Sequence, residues 1–119
     1  MRQQRLRVHG FLFVHFNNMQ KHWLNLLLIP IHEGVHWTCA CAFMQEKRIC
    51  FYDSLYPGGG HHLQHIKQYI ADEHMIKKGK EQDMDDWELT VESPNIPQQH
   101  NGCDCGVFMT QFMSCLAFG

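Results

Sequence analysis

Short apolar runs alternate with polar breaks along this chain, and the breaks fall where a backbone must turn. Residues 23–31, WLNLLLIPI, are apolar without helical spacing and are closed by Pro30, the pattern of a buried strand. A turn around Glu33-Gly34 separates them from Trp37 to Phe43, WTCACAF, which is apolar on both alternating faces and so predicts a central strand. Gln45-Glu46-Lys47-Arg48 reads as a turn, and Ile49 to Tyr52 as a further strand antiparallel to the one before it. That strand ends at Asp53-Ser54, and Pro57-Gly58-Gly59-Gly60 breaks the chain. Over residues 61–78 the period changes: Leu63, Ile66 and Ile70 recur at three- and four-residue steps, which predicts a helix. Lys77 to Asp86 is charged and reads as solvated, Trp87 to Val91 alternates as a half-exposed strand, and Ser93-Pro94-Asn95 with Pro97 makes a loop. From about Cys105 a last helix is expected, with Phe108, Phe112 and Cys115 down one face. Residues 1–22 show no clear period and are expected to be helical in part. The order strand, strand, strand, helix, strand, helix indicates an α+β domain.

Composition narrows the classes. The 119 residues suit one domain with a modest core. With 45% hydrophobic and 18% charged residues the chain is of ordinary globular make-up, and a net charge of −2 supplies no field for nucleic acid. The run Leu26 to Ile29 is too short to span a bilayer, so no membrane insertion is expected. Three arginines precede an N-terminal apolar patch and no acidic residue occurs before Glu33, a faint likeness to a transit peptide. His15 and Asn17 interrupt the patch, and no small-residue cleavage site follows, so it does not read as a secretory signal. Four of the six cysteines fall in two Cys-x-Cys pairs, at 39/41 and 103/105, and free thiols in a reducing compartment are expected.

Against that background one thiol is placed for chemistry. Cys105 follows a loop and opens a helix, where unpaired N–H groups and the positive dipole end favour the nucleophilic thiolate. Gly102 and Gly106 leave room beside it for a substrate backbone. A thiolate needs a base to hold its proton and deliver it to a leaving amine, and His36 stands at the start of the central strand. Asp53 ends the strand paired with it, so hairpin pairing brings the two side by side, as an imidazole and its orienting carboxylate require. An oxyanion needs donors, which the Cys105 N–H and a side-chain amide can supply. Gln98 and Gln99 both precede Cys105, and spacing does not choose between them. Taken singly, each residue has a plainer role, as a buried thiol, one of ten histidines or a turn aspartate.

The strings PIHEGVHW (30–37), ICFYDSL (49–55) and IPQQHNGCDCGVF (96–108) together resemble the Ulp/SENP family of proteases specific for the small ubiquitin-like modifier SUMO. The resemblance runs clearly over residues 23–112. It implies a papain-like (adenain-like) cysteine protease core, with a central mixed sheet flanked by helices. It makes His36 the general base, Asp53 its orienter, Cys105 the nucleophile and Gln99 the oxyanion-hole residue. Trp37 matches the tryptophan covering the narrow tunnel for the substrate's Gly-Gly tail, which only residues without side chains can thread. The implied reaction is hydrolysis after that Gly-Gly, with SUMO and SUMO-conjugated proteins as partners, no cofactor, a monomeric state and a nuclear location. Family catalytic domains are longer, so residues 1–119 read as one partial domain, with 1–22 poorly defined. Cys103 stands where Ser or Gly is more usual.

Three other readings compete. A non-catalytic fragment would keep the fold without turnover, because function resides in complete sites. A Nedd8-directed protease fits the IPQQ-x-NG block less well. A zinc module would draw on the Cys-x-Cys pairs and the many histidines, with His61 and His65 one helical turn apart, but structural zinc sites favour two to four residues between paired cysteines. His61, His62 and His65 are read as the exposed first turn of a helix, and no metal ligands are expected.

Overall fold

A computed structural model describes residues 2–8, 11–18, 23–55, 60–92 and 96–118. Six strands form one sheet in chain order: β1 (Arg2–Val8), β2 (Phe11–Asn18), β3 (Trp23–Glu33), β4 (His36–Phe43), β5 (Arg48–Tyr52) and β6 (Glu88–Val91). The first five pair antiparallel. Helix α1 (Gly60–Lys78) carries the chain back so that β6 joins β5 in parallel, making the sheet mixed. Helix α2 (Cys105–Phe118) follows.

Small residues on β4 let helices lie close to both faces. Ala40 and Ala42 face one side, where Leu27, Ile29, Ile31, Ile49 and Phe51 meet Leu63, Ile66, Tyr69 and Ile70 of α1 in the main core. Cys41 and Leu28 face the other side, where Met113, Leu116 and Ala117 of α2 pack with Leu26, Phe43 and Tyr52. The α+β layering and the mixed sheet agree with the expectation. So do the strands over 23–31, 37–43, 49–52 and 87–91 and the helices over 61–78 and from Cys105, within a residue or two at their ends.

Four expectations need correction. Residues 1–22 are not helical: among the described ones, β1 and β2 form a hairpin whose second strand pairs with β3. The available signal was two runs separated by His9-Gly10, a two-residue spacing that favours a hairpin. Pro30 does not close β3, which continues to Glu33. The β2 partners of β3 stop at Leu28, so at Pro30 only the β4 side is paired and a missing N–H is tolerated. On α2, Phe112 does turn inward to Tyr52 (ring centroids 6.1 Å apart), but Cys115 is exposed and Met113, Leu116 and Ala117 make the sheet contact. Finally, the first turn of α1 is not wholly exposed, because His62 is buried against Phe51.

Candidate active site

The turn between β3 and β4 places the first group. Glu33 pairs with His36, so Gly34 and Val35 form a two-residue hairpin loop. Gly34 has φ +60°, the left-handed conformation that such loops require and that glycine adopts without strain. The loop delivers His36 and Trp37 side by side at one end of the sheet. β5 runs to the same end and stops at Asp53. His36 Nε2 lies 2.8 Å from Asp53 Oδ1, and that oxygen also accepts the Leu55 N–H at 2.9 Å. Asp53 is buried, so two donors compensate a carboxylate largely withdrawn from water. The expected meeting of His36 and Asp53 across the hairpin is therefore observed.

α2 brings the thiol to the same corner. Its start is set by Asp104, whose carbonyl accepts the Phe108 N–H at 3.1 Å. The loop before it is wound around Asn101. The Asn101 Oδ1 accepts the N–H groups of Cys103 (2.9 Å) and Asp104 (3.0 Å), while its Nδ2 donates to Asp104 Oδ2 (2.8 Å). Cys105 is thereby the first helical residue and is almost wholly buried. Its Sγ accepts the Trp37 backbone N–H at 3.3 Å and lies 3.8 Å from the Val35 carbonyl oxygen. A thiolate is stabilised by such a backbone donor and by the N-terminal end of a helix. The Trp37 ring lies over the helix start, stacked on His32 (centroids 4.2 Å apart, 16° between planes), and a methyl group on Gly106 would meet Trp37 Cδ1 at 3.8 Å.

The two glutamines separate cleanly. Gln98 is exposed, and its amide donates to the Asp53 carbonyl at 3.2 Å. Gln99 is buried; its backbone N–H donates to the Ser54 carbonyl at 2.8 Å. Its Oε1 accepts the Ser54 hydroxyl and its Nε2 donates to the Asn101 carbonyl at 2.7 Å. A carbonyl can only accept, so the amide orientation is determined and one Nε2 hydrogen is left over. Ser54 and Asn101 were not singled out from the sequence. The Asn-Gly pair at 101–102 was a visible turn signal for the second, whereas nothing in the sequence marked a buried serine after Asp53.

A mixed sheet with a helix on each face, Cys105 opening one of those helices and His36 beside Asp53 at the adjoining strand ends, is the layout of a papain-like cysteine protease core. Comparison with known families narrows this further. Residues 15–119 match the profile of Peptidase C48, the Ulp1 protease family C-terminal catalytic domain, and the chain belongs to that family. It is 41% identical over 88 residues to a sentrin-specific protease of Caenorhabditis elegans, covering 74% of this chain and 12% of that protein. It is 38% identical over 93 residues to human sentrin-specific protease 5, covering 78% of this chain and again 12% of the relative. The solved C-terminal Ulp1 protease domain in complex with Smt3, the yeast ortholog of SUMO, superposes with a TM-score of 0.60 at 25% identity, over 79% of this chain and 42% of that one. The chain thus spans a small part of its curated relatives and under half of the solved domain.

Proposed function

We propose that this chain is the core of a SUMO-specific cysteine protease that hydrolyses the bond after a C-terminal Gly-Gly, whether an isopeptide to a substrate lysine or a peptide bond in a modifier precursor. The observation that carries the reading is the convergence of three distant segments. His36 Nε2 sits 2.8 Å from Asp53 Oδ1, and the residue next to His36 donates its N–H to the Cys105 sulfur. Family membership and the likeness to a protease domain solved with a SUMO ortholog support the substrate class.

In this mechanism Asp53 holds Nε2 of His36, which leaves Nδ1 as the atom that exchanges a proton with Cys105. The thiolate attacks the carbonyl carbon of the second glycine. The remaining Nε2 hydrogen of Gln99 and the N–H groups at the start of α2 receive the oxyanion. His36 protonates the leaving amine, the C–N bond breaks and a thioester remains. His36 then takes a proton from water, the hydroxide attacks the thioester, and the Gly-Gly carboxylate leaves as the thiol is restored. Trp37 roofs the approach and restricts it to residues lacking side chains. No step needs a cofactor.

One observation favours a second reading, a chain that keeps the fold without turnover. On the nucleophile helix Val107 is 59% and Phe118 78% exposed, so apolar side chains stand uncovered among the polar residues on the outer face of α2. A SUMO probe carrying a thiol-reactive group in place of its C-terminal carboxylate separates the two. The proposed function predicts a covalent adduct of one probe mass on the wild-type chain and none on Cys105→Ser. A chain shown to be folded by circular dichroism that forms no adduct would reject turnover and support the second reading.

A further inference from the structure

Glu33 closes β3, and His61 and His62 lie in the first turn of α1, yet the fold brings all three to one point. Successive residues on a helix do not normally face one another. Here the His61 and His62 rings have centroids 3.9 Å apart, and both Nε2 atoms turn to the same oxygen, Glu33 Oε1, at 3.4 Å and 2.9 Å. One potential ligand atom from each residue lies within 4.8 Å of the other two. A tetrahedral zinc shell, with Zn–N and Zn–O distances of about 2.0–2.2 Å, holds neighbouring ligand atoms roughly 3.3 Å apart. The observed spacings bracket that value, so small side-chain shifts would admit an ion.

The ligand set is also prepared chemically. His62 is buried and stacked on Phe51 (centroids 5.4 Å apart, 18° between planes), so this arm of the site is held rigidly. Glu33 and His61 are well exposed and give access from solvent. Two imidazoles and one carboxylate suit zinc and its first-row neighbours, whereas calcium and magnesium prefer shells of oxygen alone.

We propose that Glu33, His61 and His62 form a binding site for Zn²⁺ or a similar first-row divalent ion, with water completing the shell. The ion ties the end of the β3–β4 hairpin to the start of α1. It does so one cross-strand pair from His36, the register partner of Glu33.

The test uses the full chain with Cys103, Cys105 and Cys115 changed to Ser, so that accessible thiols do not compete. Zinc titration by calorimetry is expected to show one ion per chain, and Co²⁺ to give the visible absorption of a tetrahedral nitrogen–oxygen site. Glu33→Ala and His61→Ala alter exposed side chains, so folding is retained, and each is expected to weaken binding by at least about tenfold. His65→Ala changes the next histidine along the same helix, edge-on to His61 at 6.4 Å, and is expected to bind zinc as the parent does. No stoichiometric binding would overturn the proposal. So would binding that survives Glu33→Ala and His61→Ala, or binding that His65→Ala weakens as much as they do.

Discussion

An amide can serve as an oxyanion donor only if something keeps its nitrogen in place. Gln99 is proposed for that role, and Ser54 and Asn101 hold opposite ends of its side chain. Gln99→Ala is therefore expected to lower kcat for SUMO-precursor hydrolysis by about 10²–10³-fold, with little change in KM. Ser54→Ala, which frees the amide without removing it, should cost roughly fivefold, since about 1 kcal/mol of orienting hydrogen bond is lost. Equal losses in the two variants would mean that Ser54 does more than orient. A different residue-scale effect concerns acid. Burial and His61 depress the His62 pKa from the usual 6.5, and Glu33 opposes this without cancelling it. Below that value the unfolded chain binds a proton that the folded chain refuses, so stability falls as pH drops through about 6.5 and downward. Thermal melts of His62→Gln should show a shallower loss between about pH 7 and pH 5 than the wild type does.

At the scale of elements, the β3–β4 turn and the α1 contact are the parts most open to test. Gly34 sits at φ +60°, so Gly34→Ala forces a side chain into left-handed backbone at a cost of about 1–2 kcal/mol. Chemical denaturation should show that loss, and activity should fall with it because His36 hangs from the same turn. Ile66 is fully buried under the sheet, and Ile66→Ala is expected to lose about 2–5 kcal/mol. These elements were also the legible ones. WTCACAF announced a strand buried on both faces, and Leu63, Ile66 and Ile70 announced the inward face of α1, because burial imprints a period on the residue types that suffer it. The meeting of His36 with Asp53 was legible too, since a hairpin register is local. The choice between Gln98 and Gln99 was not legible from spacing, because which amide turns inward depends on Ser54, 45 residues away in sequence. β1 and β2 escaped because their polar and apolar residues follow no strict alternation. The convergence of Glu33 with His61 and His62 escaped because a turn of helix says nothing about which strand end will face it.

Considered whole, the molecule sorts its cysteines by environment. Cys39, Cys41 and Cys50 lie fully within the sheet layers. Burial pushes the Cys39 thiol up to about 12 and raises the other two as well, which suppresses their thiolates at neutral pH. Cys103 and Cys115 are exposed. Alkylation of the native chain followed by peptide mass mapping should label exposed Cys103 and Cys115 and, under the proposed function, Cys105 first, and the three strand thiols only as denaturant opens the sheet. In Ile66→Ala the strand thiols should label sooner, which makes their modification a gauge of global opening. Rapid labelling of Cys41 in the native chain would contradict the packing described here.

The separation of the site's parts along the chain has a consequence for when reactivity arises. His36 and Asp53 come from one hairpin and can meet as soon as that hairpin closes, their positions being 17 apart in sequence. The thiol must travel from 68 residues beyond its Trp37 contact, a slower closure that waits on the sheet and α1. On the ribosome the same order holds, because His36 and Asp53 emerge well before Cys105. Under the proposed mechanism a partly made chain therefore holds an acid–base pair before it has a thiol to activate, and its capacity to cut waits for Cys105 to dock beside Trp37.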